Sequence, residues 1–244
     1  MSDPIGVIRI GAFFQGPTDQ GQGGWTASKL AACADGPVTI RLLRPIPLET
    51  DLAVVRDGVD LWRLCDPRQD DGGAIMEAAR WTPAFQDTAS VRVEDAAAAR
   101  RTFVYARRTH PVPHCFSCGL RSGSMGVHVG RLSDGRYGCD WSPPSWAIDR
   151  AGVVDPGVIW AALDCAAGCY VSADGAVPLA YTAQYAVEIV RPIEPGAAYA
   201  IVAWAGDGPA EWQGRKRQAA SAAFDRDGRI VARSTSLWVA PRAA

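Results

Sequence analysis

The sequence predicts an α+β fold built from two similar halves, each a single buried helix followed by an antiparallel meander. Three observations carry this. Apolar runs of strand length, separated by turn residues, fill most of the chain. One helix-like segment stands near the start of each half, Trp25 to Ala34 and Gly157 to Tyr170. An Arg-Pro-Ile signature follows the helix both times, at Arg44-Pro45-Ile46 and Arg191-Pro192-Ile193, where proline ends a strand because it cannot donate to a ladder. Matching signatures in matching order indicate a duplicated unit, packed as an internal pseudo-dimer.

In order, Ile5 to Ile10 and Ala12 to Phe14 are strand-prone, and Gly21-Gln22-Gly23-Gly24 is a loop opening the first helix. Gly36-Pro37 stops that helix. Val38 to Leu43, Leu52 to Arg56, Val59 to Cys65 and Ala74 to Trp81 read as strands, separated by Asp57-Gly58 and by the turn-rich stretch Pro67 to Gly73. A linker runs from Thr82 to Pro113, with Glu94 to Arg101 as a connecting helix. Val127 to Val129 and Arg136 to Trp141 form a hairpin around Asp134-Gly135. After the second helix, Tyr181 to Val190, Tyr199 to Ala205, Gln218 to Phe224 and Ile230 to Val239 complete the second meander. The second helix carries Ile159, Trp160, Ala161, Ala162, Leu163, Ala166 and Ala167, so it must be buried almost all round. The division expected is an N-terminal unit over 1–82, a linker over 83–113 and a C-terminal unit over 114–244.

Composition narrows the function. The 244 residues carry 25 basic and 26 acidic side chains, without the basic excess that phosphate backbones attract, so nucleic acid is not an expected partner. No apolar run has the length of a spanning helix, and Met1-Ser2-Asp3-Pro4 lacks the features of a secretory signal. Seven cysteines, an odd count, then read as reduced thiols in a cytoplasmic protein. The only histidines are His110, His114 and His128, which limits the available catalysts.

The second half resembles the hotdog-fold thioesterases, in particular the branch similar to phenylacetyl-CoA thioesterase. The residues that carry the resemblance are Cys115-Phe116-Ser117-Cys118-Gly119-Leu120, Met125-Gly126-Val127, and the helix Asp155-Pro156-Gly157 through Leu163-Asp164-Cys165-Ala166. The last of these corresponds to the family's His-Gly-Gly and Leu-Leu-Asp-x-Ala segments. In the first half, Gly23-Gly24-Trp25 followed by Ile40-Arg41-Leu42-Leu43-Arg44-Pro45 looks like a degenerate version of the same unit. The whole chain therefore resembles a double hotdog acting on an acyl thioester of coenzyme A or acyl carrier protein. No cofactor and no metal are expected, since the thioester enters as substrate.

Thioester hydrolysis needs a base or nucleophile at the carbonyl carbon and a positive pole for the oxyanion. Asp164 is a lone carboxylate in an apolar helix, and the resemblance puts the catalytic acid there. In the family, the amide of the first glycine of His-Gly-Gly polarises the carbonyl. Here that position is Pro156, which has no N–H, and Asp155-Pro156 reads as helix-start chemistry. Aligning Gly24 with Gly157 puts Gly23 opposite Pro156 and Ala31 opposite Asp164. Helix one keeps the glycines and lacks the acid, while helix two has the acid and lacks the first glycine. The family's acid and polarising amide resemble contributions from opposite subunits. One complete site is therefore expected, with the Gly23 and Gly24 amides facing Asp164, and one dead site pairing Pro156 with Ala31. The resemblance also gives Thr182 a role in positioning water or the acid. Gln15 and Gln22 flank the glycine loop as candidate hydrogen-bond partners of the thioester or pantetheine, and Trp160 is a candidate wall of the acyl pocket. Arg215-Lys216-Arg217 is a candidate contact for nucleotide phosphates.

Other classes fit less well. A zinc module would use His110, His114, Cys115 and Cys118, but these two pairs are almost continuous, whereas structural zinc draws its pairs from separate turns. No histidine stands near either helix for a hydratase, and no Gly-x-Ser-x-Gly elbow exists for a serine hydrolase. A non-catalytic acyl-thioester binder is the alternative from another class. Further assembly into a homo-oligomer is left open.

Overall fold

The computed structural model describes residues 3–69, 73–81, 84–85, 88–106, 109–177 and 179–242. The proposed boundary at 82–83 and part of the turn before Gly73 lie outside them. Along the described chain run β1 (Pro4–Arg9), α1 (Gly23–Ala31), β2 (Val38–Leu42), β3 (Asp51–Arg56), β4 (Leu61–Cys65) and β5 (Ala74–Arg80). These are followed by α2 (Val93–Arg100), β6 (Gly130–Arg131), β7 (Tyr137–Trp141) and α3 (Gly157–Val171). The chain ends with β8 (Tyr181–Ile189), β9 (Tyr199–Trp204), β10 (Lys216–Phe224) and β11 (Ile230–Val239).

All the strands join one antiparallel sheet in the order β1-β3-β4-β5-β2-β8-β11-β10-β9-β7-β6. The seam is the short β2–β8 ladder, which pairs Ile40 with Tyr185 and Arg41 with Gln184. Read outward from the seam, β2-β5-β4-β3-β1 on one side mirrors β8-β11-β10-β9-β7 on the other. The order strand, helix, four strands is thus used twice.

The sheet curves around α1 and α3, which pack against each other. Of the α3 residues, all but Gly168 are buried, so the helix needs partners for its backbone on every side. Hydroxyls supply several of them: Tyr185 donates to the Trp160 carbonyl at 2.7 Å, Ser117 to Ala161 at 3.1 Å and Ser221 to Leu163 at 2.9 Å. α2 lies on the outer face of the sheet, where Val93, Ala96 and Ala99 pack with Leu132, Ala200, Val202 and Phe224. This explains why β9 is apolar at every position rather than alternating. No helix among the described residues is long and apolar enough to cross a membrane.

Three local expectations are corrected. Ala12–Phe14 is a 3-10 turn, closed by the Phe14 amide on the Gly11 carbonyl at 2.9 Å. Its aromatic residues suggest a strand because rings suit pleated surfaces, but here Phe14 stacks on Trp25 with ring centroids 4.0 Å apart. Val127 to Val129 makes no ladder either. Its chain is tied instead to the cysteine loop, by Met125 to Phe116 at 2.7 Å and Val127 to Ser117 at 3.1 Å. The first helix also closes sooner than Ala34: after Ala31 the amides of Cys33 and Ala34 bond to Leu30 and Ala31, which tightens the last turn.

Candidate active site

The start of α1 meets the middle of α3, and each helix brings one part of the candidate site. Gln22 caps α1 through its side-chain oxygen, which accepts from the Trp25 amide at 2.6 Å. That bond fixes which end of the amide faces the core. The Gln22 Nε2 group consequently points across the helix interface and donates to Asp164 Oδ2 at 2.7 Å. The Gly24 amide donates to the same oxygen at 2.9 Å, and Thr182 Oγ1, from β8, donates to Oδ1 at 2.8 Å.

Gly24 permits this approach. A Cβ there would stand 2.7 Å from both Asp164 Cβ and the Trp160 carbonyl oxygen, closer than the helices can tolerate. Gly24→Ala is therefore expected to destabilise the fold by about 1–3 kcal/mol, as overpacking typically does. A lowered urea midpoint with an unchanged slope would record this; an unchanged midpoint would mean that the helices are not packed this closely.

Gly23 differs from Gly24. Its amide is the first of α1 and has no hydrogen-bond partner among the described residues. The residue lines the same cavity as Asp164, and a Cβ built on it would be 3.4 Å from Asp164 Oδ2. A free N–H at a helix N-terminus, beside a carboxylate, can receive developing negative charge.

Asp164 is 4% exposed and pairs with no cation among the described residues. Burial raises its pKa from 3.8 to about 6, opposed by the hydrogen bonds from Thr182, Gly24 and Gln22. Its ionisable neighbours are Cys115, Cys165 and Tyr185, none of which offers a positive charge. The carboxyl opens onto a cavity of about 380 Å³. Leu42, Leu43, Pro45, Val112, Leu179 and Trp238 give it largely apolar walls.

Asp164, Thr182, Gln22, Gly23 and Gly24 thus come together, while the other sequence candidates lie apart. Gln15 is held in the loop, where its carbonyl accepts from Phe116 at 2.9 Å, and it is not among the cavity-lining residues. Trp160 packs edge-on to Tyr185 in the core and likewise does not reach the cavity. Arg217 is buried, bound to the Val171 carbonyl and the Asp174 carboxylate at 2.8 Å each, and Arg215 is bound to the Ala240 carbonyl. Neither lines the cavity, so the Arg215-Lys216-Arg217 cluster supplies no phosphate contact there.

The pseudo-equivalent place at the start of α3 is filled. Asp155 accepts from the Gly157 amide at 2.8 Å and is held by Lys29 Nζ at 2.7 Å. The Trp25 ring lies against Gly157, within the block formed by Phe14, Phe116 and Trp146.

No family model matches the chain, and no curated protein does so either. Solved structures do. A candidate thioesterase from Novosphingobium aromaticivorans aligns with a TM-score of 0.59 at 14% identity, covering 97% of this chain and 95% of that one. The tesB protein of Mycobacterium avium subs. paratuberculosis gives 0.59 at 16%, covering 98% and 96%. A candidate thioesterase II from Thermobifida fusca gives 0.57 at 16%, covering 97% and 93%. Over nearly its whole length, the chain has the fold these three proteins share.

Proposed function

We propose that this protein is a double hotdog that hydrolyses acyl thioesters at one asymmetric site, with 1–82 and 114–244 as its two repeats. The observation that carries the reading is the meeting of Asp164 from one repeat with the free Gly23 amide from the other, at a cavity wall. In this reading Asp164 is the general base. Its Oδ2 already accepts two hydrogen bonds and is saturated, while Oδ1 accepts one and keeps a lone pair for water. Water gives its proton to Asp164 and adds to the thioester carbon. The Gly23 amide and the positive end of α1 stabilise the oxyanion. Collapse breaks the C–S bond, and the proton held on Asp164 returns to the departing thiolate. Thr182 and Gln22 fix the carboxylate rather than touch the acyl group.

Three neighbours with nearly complete coverage support this reading through their shared fold, two of them being candidate thioesterases. The second reading, a non-catalytic binder of acyl thioesters, is favoured by one observation: the Gly24 amide is taken up by Asp164 itself. Release of free thiol from a panel of acyl-CoAs separates the two, since turnover supports hydrolysis and saturable binding without thiol release supports the binder.

A pH profile tests the base. Ionised Asp164 is the active form, so kcat/KM is expected to rise with pH through an acid limb near 6. A limb at the ordinary carboxylate value of 3.8 would assign the reaction to another acid.

A further inference from the structure

Four of the seven cysteines gather behind the candidate carboxylate. Cys115 and Cys118 stand on the loop between α2 and β6, and Cys165 and Cys169 stand one turn apart on α3. The Sγ atoms of Cys115, Cys118 and Cys165 all lie within 4.8 Å of one another, and Cys115 and Cys165 are 3.7 Å apart. Cys169 stands one helical turn beyond Cys165 and borders the same cavity. All four are buried and border the cavity. Free thiols pack as small apolar groups, so burial alone says little.

The geometry says more. A tetrahedral zinc ion with Zn–S bonds of about 2.3 Å separates its sulfurs by about 3.8 Å, close to the spacing found between Cys115 and Cys165. The loop that carries Cys115 and Cys118 is also tightly folded. The turn closes with the Gly119 amide on the Cys115 carbonyl at 2.9 Å, where any Cβ would lie 2.2 Å from that oxygen. On the α3 side, Gln22 Nε2 donates to Cys165 Sγ at 3.5 Å. An amide N–H aimed at sulfur stabilises a thiolate, the form that binds metal. The two pairs also come from separate segments, as a closed structural site requires. The histidines take no part: His110 Nδ1 accepts from Val112 and Nε2 donates to the Cys118 carbonyl, and His114 is exposed.

We infer that Cys115, Cys118 and Cys165 form a binding site for one thiophilic divalent cation of the zinc class, with Cys169, one turn further along α3, as the candidate fourth ligand. The ion ties the loop to α3 and forms the wall of the cavity beside Asp164. The inference depends on the sulfur geometry and not on the hydrolase reading.

The test is zinc uptake by the reduced full-length protein in competition with a chromophoric chelator. One zinc per chain is expected. Cys118→Ser and Cys169→Ser should each weaken binding by more than the 10–100-fold (roughly) that loss of an outer-shell partner costs. Cys65→Ser, far from the cluster, should bind like the parent. Because a buried substitution can unfold the chain, cobalt substitution of the parent gives a second readout, namely sulfur-to-cobalt charge-transfer absorption of tetrahedral thiolate character. Asp164→Asn should keep its zinc, which separates failure of this site from failure of the hydrolase. No stoichiometric uptake, equal zinc in Cys118→Ser, or cobalt bound without thiolate bands would overturn the assignment. So would a Cys115–Cys165 disulfide whose reduction restores no metal binding.

Discussion

Asp164→Asn is expected to abolish most thiol release, by about 10²–10⁴-fold as loss of a general base typically does, while making the protein more stable. The two effects have one cause. Burial holds the carboxyl near 6 in the folded chain, above the ordinary 3.8. The native state therefore binds the proton more tightly than the unfolded state, and stability falls as pH rises from 3.8 to about 6. Above that window the ionised group costs roughly 3 kcal/mol, taking about 1.36 kcal/mol per pK unit over about two units. Asparagine removes the charge and keeps the contacts: its oxygen can accept from Gln22 and Gly24, and its NH₂ can donate to Thr182. Thermal unfolding at pH 7 should show a higher midpoint for the variant, and at pH 4 the difference should shrink. A purely structural aspartate would behave differently, because its loss would lower stability and activity together. That outcome, or unchanged thiol release, would remove Asp164 from the mechanism.

The facing of the two helices is legible in the sequence through the resemblance to hotdog-fold thioesterases, which implies that acid and polarising amide come from opposite units. Aligning Gly24 with Gly157 then shows that α1 keeps the glycine pair and α3 keeps the acid; the Gly24 amide lies 2.9 Å from Asp164. Thr182 is found through the same resemblance, which implies a Ser or Thr on the strand after the helix. What a linear reading misses is orientation. Gln22 reads as a substrate contact, but its cap bond to Trp25 turns its NH₂ toward Asp164, and no spacing rule reports that. Gln15 and Trp160 fall on faces that periodicity leaves undecided in a helix buried all round and in a short loop. The thiol cluster is missed for the opposite reason. Its loop pair is obvious as Cys-x-x-Cys, but its helix pair stands about fifty residues away, and the nearer histidines take its place in any local scan. The signal that could have found it is the one-turn spacing of Cys165 and Cys169 on the face that carries Asp164's neighbours.

Gly23→Pro is expected to cost about 10²–10³ in kcat, the usual loss for one oxyanion-hole donor, with little change in stability. Proline is favoured as the first residue of a helix, where its missing N–H has no intrahelical partner to lose. The backbone is already suitable: Gln22 is extended at φ −71° and ψ 132°, the conformation a following proline demands. The molecule already has a proline at the start of its other helix, where Pro156 opens α3 at φ −60°. The added ring atoms meet Leu42 Cδ2 about 3.0 Å from the Cβ position, a side-chain end that can shift. Bulk beside Asp164 is the confounding effect, and Gly23→Ala measures it, since alanine places the same Cβ and keeps the amide. If the amide polarises the thioester, the alanine variant should lose much less kcat than the proline variant at similar KM. Equal losses would mean that crowding of the carboxylate is the whole effect, and the oxyanion would then need another donor. A fully active proline variant would reject the Gly23 amide outright, because an N–H that does not exist cannot stabilise a transition state.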